Sequence, residues 1–218
     1  MRAVDVAVVS AAPALLRLLA GDRETVHRPG GTTVVARIGP LLVAVEPPSA
    51  SSPTSGVPYA RRRLFAGVAR GLPPVRPGDV LVPAEVVGRP AYRPDAELLA
   101  LARAMRPDDW TPDHFAHSPA VHLGSVLGRS EARSLPAGGF SLIVLGAVDA
   151  GTDPVLRADA VDAAAAFTLA LLRRLAADSH VAGRPGRVSP NPAHRVSSGV
   201  TLSDMRDGDC GGGVTRPG

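Results

Sequence analysis

Residues 140–148, Phe-Ser-Leu-Ile-Val-Leu-Gly-Ala-Val, form a run with almost no polar interruption. An extended segment of this kind turns apolar side chains to both faces at once, and such strands belong in the middle of a sheet that is covered on both sides. Shortly afterwards Asp153 and Pro154 carry the marks of a helix start: a side chain that caps the first turn and a ring that suits the first helical position. The helix is expected to run through Ala177, and its small residues 163–166 would let it lie close on the sheet. One doubly covered strand followed by such a helix already asks for a layered α/β arrangement.

The rest of the chain fits that frame. Residues 4–9 read as a short buried strand and 12–19 as a helix with Pro13 in its first turn. Residues 32–38 and 41–45 are β-rich runs separated by Gly39 and Pro40, as in two strands joined by a tight turn. Residues 46–58 hold four prolines and several serines, which rules out a helix and predicts a loop. Strand pattern resumes at 64–68 and 79–87 around a Gly-containing turn at 69–78. Residues 95–105 predict a helix capped by Asp95, and 121–127 a further strand. Residues 107–119, with Trp110, His114, Phe115 and His117, read as a polar surface loop. After Asp178 no apolar period is sustained. The expected organisation is therefore a single three-layer α/β domain over 1–178, with a central mixed sheet flanked by helices, and a disordered tail over 179–218.

Composition excludes several classes of function. A formal charge of +4 could suit nucleic acid, but the arginines are interspersed with acids and only Arg61, Arg62 and Arg63 form a run. No aromatic residues interleave with them to stack bases, so that run reads as a solvated loop or helix edge and no nucleic-acid partner is expected. The lone Cys210 permits no intrachain disulfide, and no stretch approaches the roughly 20 apolar residues of a membrane span, so a cytoplasmic protein is expected. His114, His117 and His122 beside Asp113 lack a helix to present them together, and no metal site is expected.

Four pieces of the sequence then narrow the field. Gly67-Val-Ala-Arg-Gly-Leu72 precedes Pro-Pro-Val-Arg-Pro-Gly-Asp-Val-Leu-Val-Pro83. The others are Val4-Asp-Val-Ala-Val-Val9, Val121-His-Leu-Gly-Ser-Val126, and Ile143-Val-Leu-Gly-Ala-Val-Asp149 leading into the Ala-rich helix. In this order they resemble the nucleoside phosphorylases and the methylthioadenosine or adenosylhomocysteine nucleosidases, in a degenerate and shortened form. The resemblance spreads over most of residues 4–177.

That resemblance implies cleavage of the N-glycosidic bond of a purine-type nucleoside, with no cofactor and with phosphate as co-substrate if the reaction is phosphorolysis. An acid must assist the departing base, and a negative environment must stabilise the ribose as it becomes cationic. The leaving-group role falls on Asp149, expected to be partly desolvated just past the end of a buried strand; the other reading is that it caps the turn into the last helix. Gly67, Val68, Ala69, Arg70 and Gly71 would line the substrate pocket as a turn, with His122 as a further binding residue. Arg70 stands where the family has a glycine, either filling the pocket or offering a guanidinium to an anion.

Other family parts are missing. No acid follows the first strand, where the chain reads Ala11-Ala-Pro-Ala-Leu15, and the ribose-binding Met-Glu segment has no counterpart. The family's second glycine-rich loop and its helix have become Pro47-Pro-Ser-Ala-Ser-Ser52, which would bare an apolar face suited to a homo-oligomer interface. The alternative to an enzyme is thus a catalytically inactive nucleoside-binding or protein-interaction module on the same scaffold.

Overall fold

The computed structural model describes residues 4–10, 15, 23–28, 31–47, 60–71, 74–111, 115, 118–136, 138–149 and 154–182. Eight strands are described: β1 Val4–Ser10, β2 Arg23–Arg28, β3 Gly31–Ile38, β4 Leu41–Glu46, β5 Ala60–Arg70, β6 Val80–Val86, β7 Val121–Leu127 and β8 Leu142–Val148. The described helices that carry the argument are α1 Ala96–Ala104, α2 Arg129–Ser134 and α3 Pro154–Ala182. The chain divides into a compact unit, Met1–Arg184, and a second unit, Pro185–Gly218, which lies outside the described residues.

All eight strands join one mixed sheet in the order β2-β3-β4-β1-β5-β8-β6-β7. Its centre is parallel: β4, β1, β5 and β8 run the same way. Antiparallel pairings of β3 on β4, β2 on β3 and β6 on β8 complete the mixture. The expected β3–β4 hairpin is present, with Ile38 opposite Leu41 and Gly39 at φ +56°, a left-handed conformation that glycine adopts at little cost.

Alternation along β8 shows why the sheet is covered twice. Leu142 and Val144 join the cluster formed with α1 and α3 through Leu98, Phe167, Leu171, Leu172 and Leu175. Ile143 and Leu145 join the other cluster, with Phe65, Phe140 and Ala132 of α2. Each fully buried Leu or Phe of α3 contributes about 2 kcal/mol by leaving water. The protein is therefore an α/β fold with a central mixed sheet flanked by helices, as the sequence predicts.

Four expectations need correction. The last helix does not stop at Ala177 but continues to Ala182, so a tail starting at 179 would begin inside a helix. Trp110 is not on a surface loop: it is 5% exposed, follows a 3-10 turn at Pro107–Asp109, and meets the Phe167 ring edge-on at 5.2 Å. The Arg61–Arg63 run is neither loop nor helix edge but part of strand β5. Gly67, Val68, Ala69 and Arg70 are likewise not a turn; they are the last four residues of β5, paired with Leu145, Gly146, Ala147 and Val148.

Other expectations fall on residues outside the described ones. These are the Pro-rich loop beyond Pro47, most of the helix at 12–19, His114, His117 and the tail beyond Ala182. Among the described residues, no helix is long and apolar enough to cross a membrane.

Candidate active site

Parallel strands β4 and β1 end level with the middle of β5, while β5 and β8 run on together and end side by side. Register sets Glu46 beside Val9, Ser10 beside Ala66, and Arg70 beside Val148. In α/β sheets the ligand crevice lies beyond the carboxyl ends of such strands, because the loops diverge there and leave backbone groups facing a cleft. Asp149 is the first residue past β8 and stands at this edge. It is exposed, not partly desolvated as the sequence suggests.

The connection between β5 and β6 is stitched onto the end of β8 beside it. Gly71 N–H donates to the Val148 carbonyl at 2.9 Å, Gly78 N–H to the Ala147 carbonyl at 2.9 Å, and Ala147 N–H to the Asp79 carbonyl at 2.7 Å. Both glycines of the motif serve close packing. A side-chain carbon at Gly67 would lie 2.7 Å from the Phe65 ring, and one at Gly71 would lie 2.8 Å from Val75 and 3.3 Å from the Ala147 side chain.

His122 of β7 is held by a residue that sequence reasoning did not single out. Its Nε2 lies 2.9 Å from Oδ2 of Asp79, whose carboxylate is only 4% exposed. The same carboxylate accepts the Arg76 N–H at 2.9 Å and the Ala120 N–H at 2.8 Å. Burial works to raise the Asp79 pKa, but these two N–H groups and the His122 ring outweigh it and hold the carboxyl below its usual value. Since Val80 pairs with both Val121 and Gly146, the starts of β6 and β7 meet the end of β8. The structure thus brings Gly71, Asp79, His122 and Asp149 to one edge.

Arg70 is exposed, and its charge lies near enough to Glu131 of α2 to help depress that carboxyl, after the hydrogen bond from Ser130.

Two further polar residues, at the carboxyl ends of β1 and β4, were missed. Ser10 and Glu46 end β1 and β4 and are 5% and 8% exposed, with Thr33 Oγ1 donating to Glu46 Oε1 at 3.5 Å. The available signal for Glu46 was an acid terminating an otherwise apolar strand. No group of three or more His, Cys, Asp or Glu suited to a metal ion occurs among the described residues.

No family model and no curated protein matches the sequence. Solved structures do. A methylthioadenosine/S-adenosylhomocysteine nucleosidase from Campylobacter jejuni aligns with a TM-score of 0.53 and 14% identity, over 78% of this chain and 99% of its own. Futalosine hydrolase from Helicobacter pylori aligns with a TM-score of 0.55 and 12% identity, over 77% of this chain and 97% of its own. The chain has the nucleosidase fold.

A third structure of that fold is a Helicobacter pylori nucleosidase carrying an Asp-to-Asn substitution, with 5′-methylthioadenosine in its active site. It aligns at a TM-score of 0.56 and 12% identity, over 78% of this chain and 99% of its own. The shared fold thus spans nearly the full length of these three structures.

Proposed function

We propose that the chain is a nucleosidase or nucleoside phosphorylase that cleaves the N-glycosidic bond of a purine-type nucleoside at the carboxyl edge of β4, β1, β5 and β8. The observation that carries this reading is the position of Asp149 at the end of β8, in a chain whose fold matches nucleosidases over almost their whole length. Asp149 hydrogen-bonds or protonates the departing base. The strand end at Gly67, Val68, Ala69, Arg70 and Gly71 forms the floor of the nucleoside pocket, and His122, oriented by Asp79, forms its far wall.

Glu46 supplies the negative charge on the ribose side. No acid stands in residues 11–15 after β1, and Glu46 is the carboxylate that the register sets beside Val9 where β1 and β4 end.

One observation favours a second reading, an inactive nucleoside-binding or interaction module. Asp149 is exposed, and a general acid in contact with water gains little from its surroundings. Calorimetry of the full chain with adenine, inosine and methylthioadenosine, followed by chromatography of the mixtures, separates the two. Released base supports the enzyme, bound nucleoside without release supports the module, and neither, in a folded chain, overturns both.

A further inference from the structure

At the opposite end of β5 the same strand builds a second, strongly basic place. Alternation sends Arg62 toward α1, where its Nε meets Asp95 at 3.3 Å and its Nη2 meets Glu97. Arg61 and Arg63 therefore face the other way, and together with Arg93 they line a shallow groove of about 440 Å³.

The charge in that groove is unbalanced. Among the described residues its only acid is Asp95, whose carboxylate already accepts the N–H groups of Glu97 and Leu98 and the Arg62 guanidinium. Arg93 spends one nitrogen, Nη1, on the carbonyls of Pro90 and Tyr92. Arg63 lies over the Phe140 ring at 5.3 Å, and its Nε is buried without a hydrogen-bond partner. Leaving a buried charged donor unsatisfied is costly, and an anion held by the same guanidinium would offset part of that cost through charge.

The floor is rigid. Ser141 N–H donates to the Arg63 carbonyl, Arg63 N–H donates to Ser141 Oγ, and Asp95 N–H donates to the Ser141 carbonyl, so β5, β8 and the start of α1 are tied together there. We propose that Arg61, Arg63 and Arg93 form a binding site for a small phosphomonoester, with the guanidinium groups gripping the phosphate and Phe140 walling the groove. Ser141 and Asp149 bracket β8, so at about 3.3 Å per residue the groove lies roughly 25 Å from the Asp149 edge. It is a second site, not the place for a phosphate that attacks ribose.

The test is titration calorimetry of the full chain at low ionic strength with ribose 5-phosphate, inorganic phosphate and ribose. The proposal expects ribose 5-phosphate to bind, ribose not to bind, and added salt to weaken binding. Inorganic phosphate binding as tightly as the ester keeps the anion site but removes the ester preference from the proposal. Arg63→Gln should weaken binding at least about tenfold, a change of about 1.4 kcal/mol. The exposed Arg61→Gln, which disturbs no packing, should weaken it in the same direction, and Asp149→Asn should leave it unchanged. No binding of either phosphate by the folded chain, or unaltered binding in Arg61→Gln and Arg63→Gln, overturns the site. The readout is binding and not base release, so the reading of the Asp149 edge stands or falls separately.

Discussion

A side-chain carbon at Gly146 would lie 1.8 Å from the carbonyl oxygen of Ala160. The middle of β8 and the second turn of α3 are therefore in backbone contact, and that contact seats the helix whose Phe167, Leu171 and Leu172 fill the core. Gly146→Ala should force the helix off the sheet and cost about 3 kcal/mol or more, as overpacked core sites do. Gly139→Ala, which meets nothing within 4 Å, should change stability by less than about 0.5 kcal/mol. Urea denaturation midpoints of the two variants check the contrast.

Asp79 holds three partners from inside the protein, so its removal should be felt well beyond its own volume. Asp79→Ala leaves the Arg76 and Ala120 N–H groups without their acceptor, at about 1–3 kcal/mol for each that water cannot reach. The sign of the pH dependence follows from the depressed pKa. The contribution is complete above the unfolded value of 3.8 and is lost as pH falls through the lower folded value. In Asp79→Asn the decline of stability below about pH 3.8 should flatten, which denaturation curves collected from pH 7 downward would reveal.

Asp95 caps α1 through the Glu97 and Leu98 N–H groups and also pairs with Arg62. Asp95→Ala should cost about 1–2 kcal/mol, most of it from the lost cap, because partly exposed ion pairs contribute little. Asp95→Ser keeps a capping oxygen and should recover most of the loss, so comparing the two thermal midpoints apportions cap and pair.

What the sequence made legible follows from burial. Residues 140–148 announce a central strand because both faces are apolar, and Asp95 announces a helix because its oxygen has a defined task in the first turn. Strand β2, Arg23–Arg28, went unseen because it forms the sheet edge and its residues Arg-Glu-Thr-Val-His-Arg carry almost no apolar pattern. Gly67 and Gly71 look like turn residues, but they are small because Phe65 and Val75 press on them, and sequence alone does not separate those two uses of glycine. Trp110 sits among Pro and Asp residues that suggest a loop, while its partner Phe167 lies far along the chain. The Asp79–His122 pairing, 43 residues apart, is likewise invisible until β6 and β7 are laid together.

The central claim is tested most directly by incubating the full chain with 5′-methylthioadenosine, with and without phosphate, and separating the products by chromatography. The account predicts free adenine, falling by about 100-fold or more in Asp149→Asn, the scale of a lost general acid. Adenine release that persists unchanged in Asp149→Asn would contradict the assignment of that residue, and a folded chain that neither releases base nor binds the nucleoside would contradict the account as a whole.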